Sequence, residues 1–154
     1  WAGVVGRPKP AAGRIDAPLS KVPGPGGGEQ MGVDFEQGRR AVTLYRTADS
    51  LGKKVSWLEL SPLTGRTHQL RVHCRVLNTP ILGDYKYDSD QENILPDGQA
   101  KMHLHARFLS VPHPNKGTLE VEAPLPPHMR ETFDFFGFDE GKAGDPHDFF
   151  TKEC

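Results

Sequence analysis

The sequence predicts an α+β fold, a mixed and mainly antiparallel sheet with short helices, and three observations support this prediction. A length of 154 residues fits one domain of about 100–200 residues. The chain contains 17 glycines and 14 prolines, which disfavour an all-helical bundle because both residues interrupt helix interiors. Segments rich in strand-forming residues outnumber the segments in which apolar residues recur at helical spacing.

The N-terminal part predicts one strand and then a long irregular stretch. Residues 1–5 are mostly apolar and end at Gly6. An apolar strand that begins at the first residue needs neighbours, so we expect a truncated or processed product whose upstream part is missing. Residues 11–38 hold few periodic apolar positions and include the flexible segment Pro23–Gly28, which predicts a loop-rich surface excursion.

A β-hairpin and a short helix follow. Residues 41–47 and 55–60 are rich in β-branched and aromatic residues, with a turn at 49–52 between them. In the segment 64–77, apolar residues recur at i, i+4 and i+7, and polar residues at i, i+3 and i+7, which predicts an amphipathic helix with Thr67 as its N-cap. The apolar set is Leu70, Cys74 and Leu77, and the polar set is His68, Arg71 and Arg75.

The C-terminal half predicts a loop, a strand and a closing helix. Residues 79–100 have loop composition, and residues 102–109 fit either a strand or a helix. Residues 119–123 alternate as a strand does, and Met129, Phe133 and Phe136 recur at helical spacing. We therefore expect a main unit over 1–127, followed by a helix and an acidic tail over 128–154.

The net charge of −1 conceals an uneven distribution. Residues 39–75 contain eight cations and two anions, whereas residues 131–154 contain seven anions and two cations. A basic segment suits a polyanion such as nucleic acid, because contacts to phosphates set its affinity. An ordinary solvated face on the hairpin explains the same pattern, and charge alone leaves both interpretations open.

Composition also limits the cellular setting. No apolar run approaches the roughly 20 residues that span a bilayer, so we expect no membrane partner. Two cysteines do not make a disulfide framework, which favours a reducing, cytoplasmic location. Neither His68 with His73 nor His103 with His105 has the spacing of a helical zinc motif, so we expect no metal site.

The densest polar cluster is the segment 65–75. Backbone N–H groups at the start of the predicted helix, with Arg66 and His68 beside them, favour an oxyanion or a phosphate. Arg71 lies on a predicted helix whose Leu70 and Leu77 are expected to pack against the core, and a half-buried guanidinium needs a partner. That partner is either a carboxylate at a functional site or an ordinary intrachain ion pair. Asp84 follows Gly83 and is expected to satisfy local N–H groups in a turn.

The segment Thr64-Gly-Arg-Thr-His-Gln-Leu-Arg-Val-His73 resembles the most recognisable C-terminal motif of the RluA family of pseudouridine synthases. Further blocks of that family match in the same order at 79–84, 104–109 and 123–126, and upstream at 13–19 and 41–45. The resemblance covers roughly residues 1–126. It is nearest to the subgroup that acts on large-subunit ribosomal RNA.

The resemblance implies that residues 1–127 are the C-terminal half of a pseudouridine synthase catalytic fold. The intact enzyme would isomerise uridine to pseudouridine in ribosomal RNA, without a cofactor or a metal. The family's catalytic aspartate would lie upstream of Trp1, so this chain alone is expected to be inactive. Arg71 matches the arginine that pairs with that aspartate, and Leu104 matches an apolar position in the base pocket.

Further RNA contacts are expected beside this site. The candidates are Arg39, Arg40, Arg66, Arg75, His68 and Gln69. Two other functions stay open, a non-catalytic RNA-binding module and a metal-dependent hydrolase that uses the histidines. A sheet cut through its middle would expose strand edges, so self-association of the truncated chain is also expected.

Overall fold

A computed structural model describes residues 1–88, 91, 94–95 and 101–148. Its strands and helices in chain order are β1 (Ala2–Val5), β2 (Ala12–Asp16), β3 (Leu19–Pro23), β4 (Glu29–Val33), β5 (Val42–Leu51), β6 (Val55–Pro62), α1 (Gln69–Val76), β7 (Phe108–Pro112), β8 (Thr118–Glu122) and α2 (Pro127–Phe136). Short 3₁₀ turns lie at Pro25–Gly27 and Glu140–Lys142. The α+β class predicted from the sequence is confirmed, because antiparallel sheets dominate and the helices are short.

The central sheet has four antiparallel strands in the order β1-β6-β5-β2. Strands β5 and β6 form the predicted hairpin, with Tyr45 opposite Leu60 and a register shift between Thr47 and Asp49. Two further hairpins, β3–β4 and β7–β8, lie outside this sheet. The outer edge of β1 is occupied, since Gly3 donates to the carbonyl of His103 and accepts from Leu82.

The predicted loop-rich excursion over 11–38 instead contains three strands. Strand β2 pairs with β5 at the edge of the central sheet, and β3 pairs with β4 from Leu19 opposite Val33. In β2 only the side chain of Ile15 is buried, so the strand shows no alternation of apolar and polar residues. The sequence of β2 lacks a clear strand pattern because β2 is an edge strand with a single buried residue. Within residues 11–38, the predicted irregular structure is found at the Pro-Gly segment, which forms the 3₁₀ turn.

Helix α1 packs on the sheet through a face that differs from the predicted one. His68, in the left-handed region at φ 54°, precedes the first turn, and Thr67 does not cap it. Leu70 and Leu77 are only half-buried, whereas Gln69 and His73 are buried. Polar side chains occupy the packed face because the sheet supplies hydrogen-bond partners for both of them.

Helix α2 closes the other part of the core, as its spacing predicts. Met129 and Phe133 pack against Trp57, whose ring lies 5.2 Å from that of Phe133. Gly137 ends the helix at φ 71°, and Phe138 N–H donates to the Phe133 carbonyl at 2.9 Å. In the described part of the chain, no helix is long and apolar enough to cross a bilayer. The predicted tail reaches residue 154, and residues 149–154 lie outside the described residues.

Replacing Phe133 by alanine tests the packing of α2. Phe133 is 2 % exposed, so Phe133→Ala should lower the free energy of unfolding by about 3–5 kcal/mol through lost burial and a cavity. Phe135, on the same helix, is 64 % exposed, and Phe135→Ala should change stability by less than about 0.5 kcal/mol. Urea unfolding followed by circular dichroism measures both variants, and equal effects would contradict this packing.

The buried His103 predicts a loss of stability in acid. Its side chain is fully buried, with Nε2 2.8 Å from Thr132 Oγ1, and burial lowers its pKa from 6.5 to about 4. Between these two pH values the unfolded chain binds a proton that the folded chain does not, so stability falls as the pH falls. The total loss should reach about 3 kcal/mol. Urea unfolding at pH 7, 5.5 and 4.5 measures it, and His103→Gln should flatten the dependence. An unchanged slope in His103→Gln would contradict this assignment.

Candidate functional site

A buried glutamine fixes the start of α1. Gln69 is 4 % exposed, and its Oε1 accepts from Arg66 N at 3.0 Å and from Thr64 Oγ1 at 2.8 Å. Its Nε2 donates to the Val42 carbonyl at 2.9 Å and to Thr43 Oγ1 at 3.0 Å. The expected contact between Gln69 and RNA is therefore corrected, because both ends of the amide are used inside the protein and the side chain does not reach the surface.

Arg71, in the first turn of α1, forms an ion pair with Asp84 through two hydrogen bonds. Arg71 Nε donates to Asp84 Oδ2 at 2.8 Å, and Nη2 donates to Oδ1 at 2.6 Å. The Arg71 guanidinium also lies over the Tyr87 ring, 4.8 Å from its centre. The hydrogen bonds to Asp84 raise the pKa of Arg71. Asp84 thus holds a cation through its carboxylate, whereas the sequence predicted a residue that only satisfies its own turn.

His68 joins the same cluster through Tyr87. His68 Nδ1 lies 2.7 Å from the Tyr87 hydroxyl, which accepts from Met31 N at 3.2 Å. Burial, and then the nearby Arg71, lower the pKa of His68, so Nδ1 of the neutral ring accepts a hydrogen bond from the Tyr87 hydroxyl. The contact links the start of α1 to strand β4, and it leaves only the second ring nitrogen of His68 for another partner.

A cavity of about 530 Å³ lies between β6, residues 104–110 and the start of α1. Leu104 and Leu70 form part of its apolar wall, together with the Trp1 ring. Arg71 does not line the cavity, although it follows Leu70 directly. Of the predicted residues, Leu104 therefore lines the cavity, whereas Arg71 lies next to the cavity-lining Leu70 in α1.

Two charged residues in the cavity wall were missed by the sequence analysis. Arg107 lies over Trp1, with 4.6 Å between guanidinium carbon and ring centre, and its Nη1 donates to the Ala123 carbonyl at 2.5 Å. Within the described ranges, its buried Nε has no hydrogen-bond partner. Glu59, 4 % exposed, is the other charged side chain. Arg107 lies three residues after Leu104, so the block 104–109 carried a signal that charge counting did not use.

The basic run over 39–75 does not form one patch. Arg40 and Arg66 lie together, since Arg66 Nε donates to the Arg40 carbonyl at 3.0 Å, and Arg39 is the exposed neighbour. Lys53 and Lys54 occupy the turn at the opposite end of the β5–β6 hairpin. The remaining cations are Arg46, paired with Glu59, Arg71, paired with Asp84, and Arg75, exposed near the end of α1.

Histidine positions bear on the metal hypothesis. Among the residues that the structure describes, no group of three or more His, Cys, Asp or Glu side chains could hold a metal ion. His73 Nδ1 lies 2.8 Å from Thr43 Oγ1, and Nε2 lies 3.0 Å from the Ala17 carbonyl. His105 Nε2 lies 3.2 Å from the Ala123 carbonyl. These rings act as hydrogen-bond partners within the fold.

Comparison with known proteins matches this chain to one family. Residues 1–75 match the family described as RNA pseudouridylate synthase. An RNA pseudouridine synthase of Synechocystis sp. is 40 % identical over 135 residues, which cover 85 % of this chain and 39 % of the relative. The dual-specificity RNA pseudouridine synthase RluA of Salmonella typhi is 39 % identical, over 79 % of this chain and 55 % of the relative.

A solved structure agrees with these matches. Human RNA pseudouridylate synthase domain containing 4 superposes with a TM-score of 0.67 at 29 % identity, over 89 % of this chain and 60 % of that protein. The chain therefore spans between 39 % and 60 % of the length of these relatives.

Removing Asp84 tests the ion pair that holds Arg71. The side chains are 17 % and 2 % exposed, so Asp84→Ala leaves a mostly buried cation without its partner and should destabilise the fold by about 3 kcal/mol. The matched control is Asp16→Ala, because the Arg14–Asp16 pair is 38 % and 50 % exposed and should contribute less than about 1 kcal/mol. Urea unfolding at pH 7 compares the two, and a smaller effect at Asp84 than at Asp16 would contradict this assignment.

Proposed function

Because the chain belongs to the RluA family of RNA pseudouridine synthases, we propose that the intact protein converts uridine to pseudouridine in RNA. This chain would supply part of the pocket that receives the target base. The observation that carries the proposal is the cavity of about 530 Å³ lined by Leu104, Leu70 and Trp1, in a chain of this family. The chain spans 39–60 % of its relatives, so the activity is proposed for the whole protein.

The reaction requires the uracil base to leave the RNA stack and enter the protein. The bond between uracil N1 and the ribose C1′ breaks, the base rotates, and a bond between C5 and C1′ forms. C5 loses its proton to water and N1 gains one, so the isomerisation is balanced without an oxidant or reductant. Base extrusion costs a few kcal/mol, which contacts with apolar and aromatic side chains such as Leu104 and Trp1 would offset.

Arg71 is the proposed partner of a catalytic aspartate from the upstream part of the intact protein. Asp84 and Tyr87 already fix the guanidinium from two directions. These bonds use Nε and Nη2, and Nη1 makes no hydrogen bond to the described residues. A cation at hydrogen-bond distance favours the ionised form of a carboxylate. Arg71 is thus oriented to serve a second carboxylate while the first one holds it in place.

RNA phosphates would bind beside the pocket, at Arg39, Arg40 and Arg66. The contact between Arg66 and the Arg40 carbonyl brings these cations together at the end of the β5–β6 hairpin where Pro62 lines the cavity. His68 is half-buried near the same end of α1, and Arg75 is exposed farther along the helix. This cluster also favours the second candidate function, a module that binds RNA without catalysis.

The finer parts of the proposal concern the substrate and the place of the reaction. We propose ribosomal RNA as the substrate, on the resemblance of the motif at 64–73 to the large-subunit subgroup. A cytoplasmic location is proposed on the cysteine content. Three plant relatives carry names that place them in mitochondria, so organellar localisation of the intact protein would overturn that part.

Tritium release from RNA labelled at C5 of uridine tests the proposed activity, since C5 loses its hydrogen in this isomerisation. The intact protein should release tritium from large-subunit ribosomal RNA that lacks the modification. Arg71→Ala in the intact protein should lower kcat by about 10²–10⁴-fold, because the aspartate loses its paired cation while phosphate contacts persist. The measurement is kcat and KM from initial rates.

Arg66→Ala provides the control for this experiment. It removes a phosphate contact, so it should raise KM and reduce the slope of log affinity against log salt by about one, with kcat preserved. Normal turnover by Arg71→Ala would contradict the role of Arg71. RNA binding without tritium release by the intact protein would instead favour the non-catalytic module.

A further inference from the structure

A short C-terminal segment contributes one residue to the cavity wall. This segment, Gly144–His147, is called here the strap. Pro146 of the strap lines the same cavity as Leu70 and Leu104. The strap lies beyond residue 126, where the family resemblance ends, and the sequence analysis assigned it no function.

The first anchor of the strap is a buried ion pair. Glu59 Oε2 accepts from Arg46 Nε at 2.5 Å and from Gly144 N at 3.2 Å. Arg46 Nη2 donates to the Asp145 carbonyl at 3.2 Å. Glu59 lines the cavity, and its carboxylate holds the backbone of the strap at Gly144, two residues before Pro146.

A second anchor lies at the other end of the strap, on the β7–β8 hairpin. His147 Nε2 lies 3.3 Å from Glu120 Oε1, and the His147 ring meets the Phe108 ring edge-on with 5.4 Å between centres. Just before the strap, Lys142 Nζ pairs with Asp49 at 2.9 Å. The strap thus connects β5–β6 on one side of the cavity to β7–β8 on the other.

Burial shows that the strap is not held by hydrophobic packing. Asp145 and His147 are exposed, and Gly144 and Pro146 are only half-buried, so no strap residue belongs to the core. Polar contacts fix it instead, and a Cβ at Gly144 would overlap the Arg46 guanidinium, so a larger residue there would displace Arg46 from its contacts with the strap. A segment that adds no core residue, yet is anchored at both ends across a cavity, is placed to contact what enters that cavity.

We propose that the strap is a wall of the target-nucleotide pocket and that Pro146 contacts the nucleotide there. Arg46 is a positioning residue, because it acts on the nucleotide only through the strap, whereas Glu59 both lines the cavity and holds the strap. This inference rests on the proposed function, in which the same cavity receives the uridine. The Pro146 side chain has no group that gives or takes a proton, so it would contribute to substrate binding and to the choice of nucleotide.

The test uses the intact protein with two variants. Pro146→Ala removes the ring from the cavity wall and leaves both anchors in place. Gly144→Val displaces Arg46 and releases the strap, which hydrogen exchange at residue 144 reports as faster exchange. Gly28→Val is the matched control, because a Cβ at Gly28 meets no atom within 4 Å. Tritium release gives KM and kcat for each protein.

Both strap variants should raise KM about tenfold with kcat within about twofold of the parent, because a contact made equally in ground state and transition state changes KM alone. Gly28→Val should match the parent. Unchanged KM in Pro146→Ala and Gly144→Val, with an active parent, would overturn the strap's role and leave the proposed function standing. An inactive parent would instead overturn the proposed function.

Discussion

A chain of buried hydrogen bonds docks α1 on the central sheet, and the positions of Leu70 and Arg71 on that helix depend on it. Gln69 donates to Thr43 Oγ1, Thr43 lies 2.8 Å from His73 Nδ1, and His73 Nε2 faces the Ala17 carbonyl at 3.0 Å. Burial lowers the pKa of His73, which keeps the ring neutral and able to accept at one nitrogen and donate at the other. Each of these buried polar groups would cost about 1–3 kcal/mol if it lost its hydrogen-bond partner, so a shift of α1 along the sheet would be unfavourable.

With α1 fixed in this way, two consecutive residues of its first turn have different surroundings. Leu70 faces the cavity with Leu104, while Arg71 turns to Asp84 and Tyr87. The charged side chains in the cavity wall are themselves engaged, since Glu59 holds Arg46 and Arg107 holds the Ala123 carbonyl. The cavity therefore has an apolar surface, where we propose that the base binds, and its charged side chains bond to backbone segments around it.

The distribution of charge illustrates how folding redirects a sequence pattern. The basic run over 39–75 is continuous along the chain, but the β5–β6 hairpin carries Lys53 and Lys54 away from Arg40 and Arg66. Ten residues of β5 at about 3.3 Å each separate the two groups by roughly 30 Å. Two other cations, Arg46 and Arg71, are each paired with a carboxylate 13 residues further along the chain. Only the cluster near the cavity keeps the character that the charge count indicated.

The sequence by itself determined the α+β class, the β5–β6 hairpin, helix α2 and the family, because these depend on local periodicity and on contiguous motifs. It did not determine strand β2, whose single buried residue leaves no pattern, nor the buried face of α1, where Gln69 and His73 replace the expected leucines. Tertiary structure alone paired Arg71 with Asp84 and brought Pro146 to the cavity wall. The physical reason is that hydrogen bonds and ion pairs between distant segments form only after the sheet has brought their partners together, and no local pattern records them.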